Sequence, residues 1–295
     1  MSLSPDKHTI GLLAIHAATI LLGFIGLFGK WLNAPTILIV LGRSFFEALA
    51  LIVLLFILRR TPLLRNGRDY FFLIGLGIIQ TVQWLTFFES IKVSSVAIGL
   101  LSLFTFPLFL ALLEPLLLKE KWRAMNLITS ICILGGILLI VPDFHFENQN
   151  TRGVLWGLLS SVTLTFMLLM TRRFVRSYDS ITISLYKSIT ATVLLLPFFY
   201  FISFEWTGRE VGLIALLGIV FTALPYLLIT NSLRTLNAHS VGLIISLEPI
   251  YGIVLALVFL HEIPAPRTIM GGILILGVSL YATWHSRRAT PVPVE

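Results

Sequence analysis

The chain has 295 residues, of which 57% are hydrophobic and only 12% charged, and its mean hydropathy is +0.96. A soluble domain carries roughly a quarter charged residues, so this composition excludes a globule wetted on all sides. The formal net charge of +7 does not mark a nucleic-acid partner, because Lys and Arg fall in short clusters between apolar runs rather than along one amphipathic face.

Each apolar run of about 20 residues is long enough to cross a hydrocarbon core of about 30 Å. In chain order the predicted spans lie near 9–29, 36–58, 70–91, 93–118, 124–141, 153–172, 180–202, 210–231, 238–260 and 267–285. The first is too long for a secretory signal and lacks a small-residue cleavage site, so it is read as a span. Connections are short and carry turn residues, as at Asn33-Ala34-Pro35, Asn66-Gly67 and Pro264-Ala265-Pro266. The longest, from Pro142 to Arg152, divides the chain into halves 1–147 and 148–295 that together make one transport domain. The expected fold is therefore all-α integral membrane, with ten transmembrane helices.

Orientation follows from the loops. With the N-terminus in the cytoplasm, the inner segments hold 14 Lys and Arg and the outer ones 5, which favours both termini inside. Only Arg43 and Lys187 fall within spans.

The second half repeats the first at an offset of about 142: Gly11 meets Gly153, Pro107 meets Pro249, Glu120 meets Glu262, and Glu-Ser-Ile-Lys (89–92) meets Asn-Ser-Leu-Arg (231–234). Five spans per half is an odd number, so the two repeats are inverted in the membrane. Inverted repeats recur in secondary transporters, where rocking two similar halves exposes a central site to each side in turn.

Ionisable and polar groups inside spans are costly and point to function. Arg43 and Glu47 lie one helical turn apart, close enough to pair, either as a structural salt bridge or as a gating or coupling element. Lys187 occupies the matching place in the seventh span, since Thr36-to-Arg43 aligns with Ser180-to-Lys187. Arg43 and Lys187 either snorkel to opposite interfaces or act together in gating. Gln80, Gln83, Trp84 and Phe87 fall at i, i+3, i+4 and i+7, a stripe that suits either a substrate cavity or interhelical hydrogen bonding. Pro225 and Tyr226 stand at the corresponding place in the eighth span, and Ser246, Glu248, Pro249 and Tyr251 lie near the middle of the ninth. Pro107, Pro225 and Pro249 are predicted helix breaks, and symmetry-matched breaks point to a central substrate site. Tyr226, Ser246, Glu248 and Tyr251 join the stripe as candidate substrate contacts. A proton-coupled cycle would run through Glu248, since a carboxyl held away from water can load and release a proton. His16 is read as a packing or interfacial residue.

Cys132 is the sole cysteine and allows no internal disulfide. Gly23-to-Lys30 has the wrong spacing for a nucleotide loop, and neither HExxH nor Gly-x-Ser-x-Gly occurs. No metal or cofactor is expected. The competing reading is a membrane-embedded enzyme acting on lipid-linked substrates, with Glu248 or His16 as acid or base; it lacks a spaced catalytic constellation.

Pro107 to Gly136, with Leu118-Lys119-Glu120-Lys121, and Glu248-Pro249 to Gly277, with Leu260-His261-Glu262, each run from a proline through a long apolar segment and a charged turn into a Gly-rich helix. Two such units resemble the drug/metabolite transporter superfamily, specifically its EamA-type members. The resemblance implies ten helices, alternating access, a bacterial inner membrane, efflux of amino acids or related amphipathic metabolites, and coupling to protons or to nothing. Many such proteins carry a Gly-Glu-Arg-like turn where this chain has Lys119-Glu120-Lys121 and His261-Glu262-Ile263.

Overall fold

The computed structural model describes residues 5–118, 124–141, 145, 147–171, 178–233, 235, 236 and 238–286. Within hydrocarbon every backbone N–H and C=O must find a partner inside the protein, and helices do this locally. The first half accordingly contains α1 (Pro5–Trp31), α2 (Thr36–Ile57), α3 (Gly67–Val93), α4 (Val96–Leu103), α5 (Phe106–Leu118) and α6 (Ala124–Ile140). The second contains α7 (Gln149–Thr171), α8 (Ser180–Leu195), α9 (Phe198–Phe201), α10 (Gly208–Gly218), a π-turn (Ile219–Ala223), α11 (Leu224–Ser232), α12 (Ala238–Ile245), α13 (Glu248–Leu260) and α14 (Pro266–Ser286). No strand occurs among the described residues.

Eight helical stretches are long and apolar enough to span by themselves, and shorter apolar segments at Ile128–Ile140 and Pro266–Tyr281 supply the other two spans. The ten expected spans are thus present, several of them in two pieces. The fourth breaks between α4 and α5, just before Pro107, and the ninth between α12 and α13, just before Pro249. Proline has no N–H to give to the turn above it, so the ladder is interrupted there. At Pro225 the helix does not break. It widens into the π-turn, where Thr222 Oγ1 donates to the Leu217 carbonyl five residues back at 2.8 Å. Pro197 breaks the seventh span between α8 and α9, a position that hydropathy did not single out.

The sixth span starts at Gln149 rather than near residue 153. Asn148 Oδ1 accepts a hydrogen bond from the Asn150 N–H at 2.9 Å, so a side chain caps the first turn. A hydropathy window finds only the apolar part of such a helix.

The repeat is visible in the elements themselves. α4 and α12 are each eight residues long, α5 and α13 each thirteen, and both pairs start 142 residues apart. The first helix of each half is exchanged. α1 packs on α11, α12 and α13, while α7 packs on α3, α4 and α5. α2 packs on α8 and α6 on α14. Small residues make the exchange close: a methyl group on Gly23 would lie 2.9 Å from the Gly252 nitrogen, and one on Gly157 would lie 2.3 Å from Ser102 Cβ.

Candidate functional site

The buried charges come together between the halves. Arg43 and Glu47 of α2 are 0% and 1% exposed, and Arg43 Nη2 lies 3.7 Å from Glu47 Oε2. Thr36 starts α2 directly after Pro35, which sets Arg43 two turns inside the bundle. Lys187 of α8 is 6% exposed, within electrostatic reach of both Glu47 and Arg43. Neither cation snorkels to an interface, as one of the two sequence readings allowed. Packing of α2 on α8 holds the two symmetry-related cations within electrostatic reach of one carboxylate, and ion pairing away from water is stronger than at the interface.

Arg43 has further partners. Its Nε donates to Thr222 Oγ1 of the π-turn at 3.1 Å, and its guanidinium lies 3.6 Å from the centroid of the Trp84 ring, a cation–π contact. The π-turn therefore does local work, aiming Thr222 across the interface between halves. Gly218 permits this: a methyl group there would lie 2.6 Å from the Arg43 carbonyl oxygen and 3.0 Å from the Glu47 nitrogen.

Several polar atoms here lack hydrogen bonds: Arg43 Nη1 and Nη2, both Glu47 carboxylate oxygens and Gln80 Oε1 are enclosed without one. Ser188 stands beside Glu47, but its hydroxyl donates to the Ser184 carbonyl. Buried polar atoms without partners are uncommon in folded proteins, and each calls for an explanation.

Trp84 and Tyr226 are both half-buried. Tyr226 is within electrostatic reach of Arg43, Glu47 and Glu248. Ser246, Glu248 and Tyr251 are half-buried at the break between α12 and α13. Ser246 Oγ donates to the Leu243 carbonyl at 2.7 Å. Among the described residues no hydrogen bond or ion pair reaches Glu248. Tyr251 meets His16 of α1, with Nδ1 and the hydroxyl 3.0 Å apart. His16, read from sequence as a packing or interfacial residue, is thus the partner of Tyr251; a lone His carries no sign of a partner 235 residues away.

The rest of the α3 stripe divides. Gln83 is 3% exposed and turned to α7, where its Nε2 donates to Ser160 Oγ at 3.3 Å and Ser160 Oγ donates to the Gln83 carbonyl at 2.9 Å. That is the interhelical hydrogen bond, the second of the two readings open to it. Phe87 is buried against Trp84, with ring centroids 5.6 Å apart.

The end of the bundle carrying Trp31 is fastened across the halves. Glu210 Oε1 accepts from the Asn33 backbone N–H at 3.1 Å and from Asn33 Nδ2 at 3.2 Å. Glu262 Oε2 accepts from the Val96 N–H at the start of α4 at 3.0 Å. His261, in the left-handed region at φ 54°, ends α13 and turns Glu262 towards α4. Within the first half, Lys30 Nζ donates to the Ser94 carbonyl at 2.7 Å, and Lys92 Nζ to the Ala34 carbonyl.

At the opposite end, Arg60 and Asp179 form an exposed ion pair at 3.0 Å. There Tyr178 donates to the Asp69 carboxylate, which holds the phenol above its ordinary range. The two ends differ in packing. All eight residues of α4 are buried, whereas its repeat partner α12 is mostly half-buried from Ser240 onward. Glu120 and most of the inner-loop Lys and Arg lie outside the described residues.

No group of three or more His, Cys, Asp or Glu side chains suited to a metal occurs among the described residues.

Comparisons with known proteins agree with this architecture. A solved crystal structure superposes with a TM-score of 0.66 at 19% identity, over 98% of this chain and 100% of that one. An uncharacterized transporter, YxxF, of Bacillus subtilis (strain 168) is 23% identical over 88% of this chain and 84% of its own length. An uncharacterized transporter of Archaeoglobus fulgidus is 24% identical over 91% and 94%. The S-adenosylmethionine uptake transporter of Rickettsia felis is 20% identical over 84% and 82%. The model of the EamA-like transporter family matches twice, at residues 9–141 and 151–283. With two inverted five-helix repeats enclosing a polar site and both repeats matched, the chain belongs to the EamA-like transporter family, and it is a multi-pass membrane transporter.

Proposed function

We propose that this transporter moves small amphipathic metabolites, such as amino acids and related compounds, by alternating access through the chamber between its halves. The observation that carries this is the unequal packing of matched elements: α4 is buried throughout and capped by Glu262, while α12 is mostly half-buried from Ser240 onward. One inverted repeat is then in one conformation and the other in its alternative, as rocking-bundle transport requires. With the N-terminus inside, the fastened Trp31 end faces away from the cytoplasm. Purified protein in liposomes is expected to move a neutral or aromatic amino acid down its gradient, and absence of protein-dependent flux across a broad metabolite panel rejects the proposal. The relative named for S-adenosylmethionine uptake supports a zwitterionic cargo. Export is the direction that the family resemblance implies, and its measure is excess release of the cargo from expressing cells.

In this reading the chamber is lined by Trp84, Tyr226, Ser246, Glu248 and Tyr251, with Gln80 one helical turn before Trp84 on α3. Proton coupling is assigned to Glu248, the chamber carboxylate that no hydrogen bond or ion pair reaches among the described residues. Glu248→Gln is expected to abolish transport driven by a pH gradient while sparing substrate counterflow. Unchanged gradient-driven transport removes Glu248 from this role.

The fastening at the Trp31 end is the outer gate. Each hydrogen bond to a charged group contributes about 1.5–3 kcal/mol, so removing one shifts a two-state equilibrium about tenfold or more. In the Glu210→Gln/Glu262→Gln protein, a cysteine placed at the buried Ala97 of a Cys132→Ser background is expected to react about tenfold faster with an impermeant maleimide. An unchanged rate means that these contacts do not hold the gate.

A further inference from the structure

We propose that Arg43 and Lys187 form the subsite for a carboxylate group of the substrate, and that Glu47 holds this place as an internal counter-ion until the substrate arrives. The inference rests on the transport reading above and adds to it a chemical requirement and an orientation.

The donor inventory of Arg43 comes first. A guanidinium has five N–H donors in a planar fork. Here, among the described residues, Nε alone donates a hydrogen bond, to Thr222, and one face of the guanidinium plane is covered by the Trp84 ring. Among the described residues the outer edge, Nη1 and Nη2, donates no hydrogen bond. Glu47 stands at 3.7 Å, near enough for attraction and too far for a hydrogen bond. Its own two oxygens are unbonded as well. A purely structural salt bridge inside a membrane would be expected to close to hydrogen-bond distance and satisfy its remaining donors, because burial of half-paired charges is costly. The open fork and the loosely held carboxylate fit an exchange instead, in which a ligand carboxylate takes the edge of Arg43 in bidentate fashion and Glu47 turns to Lys187, already within its electrostatic reach.

Charge decides between oxyanions. Arg43, Lys187 and Glu47 together carry one positive charge in excess. A carboxylate neutralises it, whereas a phosphate dianion would leave the cluster negative in a medium of low dielectric. The repeat supports a dedicated role for Glu47. Thr36-to-Glu47 aligns with Ser180-to-Ala191, so the cations occur in both halves and the counter-ion in one.

Orientation is set by Arg43 at one end of the ligand, with Tyr226 within electrostatic reach of Arg43, Glu47 and Glu248. A ligand with its carboxylate on Arg43 has Tyr226 within reach and leaves Glu248 to its proton.

The test uses the full-length protein, with thermal shift in detergent and flux in liposomes. The probes are the proteinogenic L-amino acids, the matching amino-acid amides, and choline and ethidium as cations without a carboxylate. The expected result is that amino acids stabilise the protein and move, while their amides bind about 10- to 100-fold more weakly, the effect of one or two charged hydrogen bonds. Arg43→Gln/Glu47→Gln keeps the net charge of the cluster and is expected to bind acid and amide alike. Arg43→Lys, which keeps the charge and loses the fork, is expected to retain only part of the preference. Equal binding of acids and amides by the native protein, or an undiminished preference in the double variant, overturns the subsite. Flux of choline or ethidium without binding of any amino acid also overturns it and leaves the transport reading standing. Silence of the whole panel in both assays overturns the two together.

Discussion

Glu47→Gln is expected to lower the stability of the protein by about 3–5 kcal/mol, the scale for stranding buried charge by removing a partner. Arg43 and Lys187 are 0% and 6% exposed, and Glu47 is the carboxylate that both face. Without it two cations stand in hydrocarbon with no counter-charge, and the apparent melting temperature in detergent should fall by on the order of 10 °C. Arg43→Gln/Glu47→Gln returns the cluster to its native net charge, so it should recover more than half of the loss. Two singles and the double form a cycle in which strong coupling is the predicted outcome. Additive effects would mean that the pair at 3.7 Å contributes nothing as a pair.

Gly218→Val is the second large effect. The atoms that a side chain at this position would meet include the Arg43 carbonyl oxygen at 2.6 Å and the Glu47 nitrogen at 3.0 Å. These are backbone atoms of α2 and cannot swing aside, so α2 and α10 must part. Overpacking of this kind costs about 1–3 kcal/mol. The functional loss should be greater than the stability loss, because the same displacement draws Thr222 from Arg43. Substrate flux in liposomes is expected to fall to background while folded protein is still recovered. Gly212→Ala on the same helix is the control. Nothing lies within 4 Å of a methyl group there, and replacing a mid-helix glycine should stabilise by up to about 1 kcal/mol. If Gly218→Val transports normally, the close approach is not what positions the cluster.

Much of the fold was legible because a bilayer leaves few choices. A run of about 20 apolar residues has to be a helix, and a second half in register at an offset of 142 has to copy the first. The proline breaks at Pro107 and Pro249 were readable on the same grounds, since proline has one local consequence wherever it falls in a helix. Pro225 was misjudged as a break, because whether the helix stops or widens depends on Thr222 and its partner in another half. The site was legible in its ingredients and not in its pairings. Arg43, Glu47 and Lys187 stood out as charges in spans, yet hydropathy has no means of telling that Lys187 meets a carboxylate 140 residues earlier instead of the interface. Gln83 and Trp84 are neighbours on one stripe, and only the position of α7 assigns the first to packing and the second to Arg43. His16 was missed for the same reason.

The exchange of first helices has a consequence for how the protein is made. α1 is synthesised first, but the surfaces it packs on, α11 to α13, are roughly 220–250 residues later in the chain. At about 5–20 residues per second, synthesis of that stretch takes on the order of 10–50 s. Throughout that interval α1 sits in the bilayer with Gly11, Gly23 and His16 facing lipid or a transient holder. α7, by contrast, finds α3, α4 and α5 already inserted. Assembly of this transporter is therefore expected to end with α1, the helix that entered the membrane first.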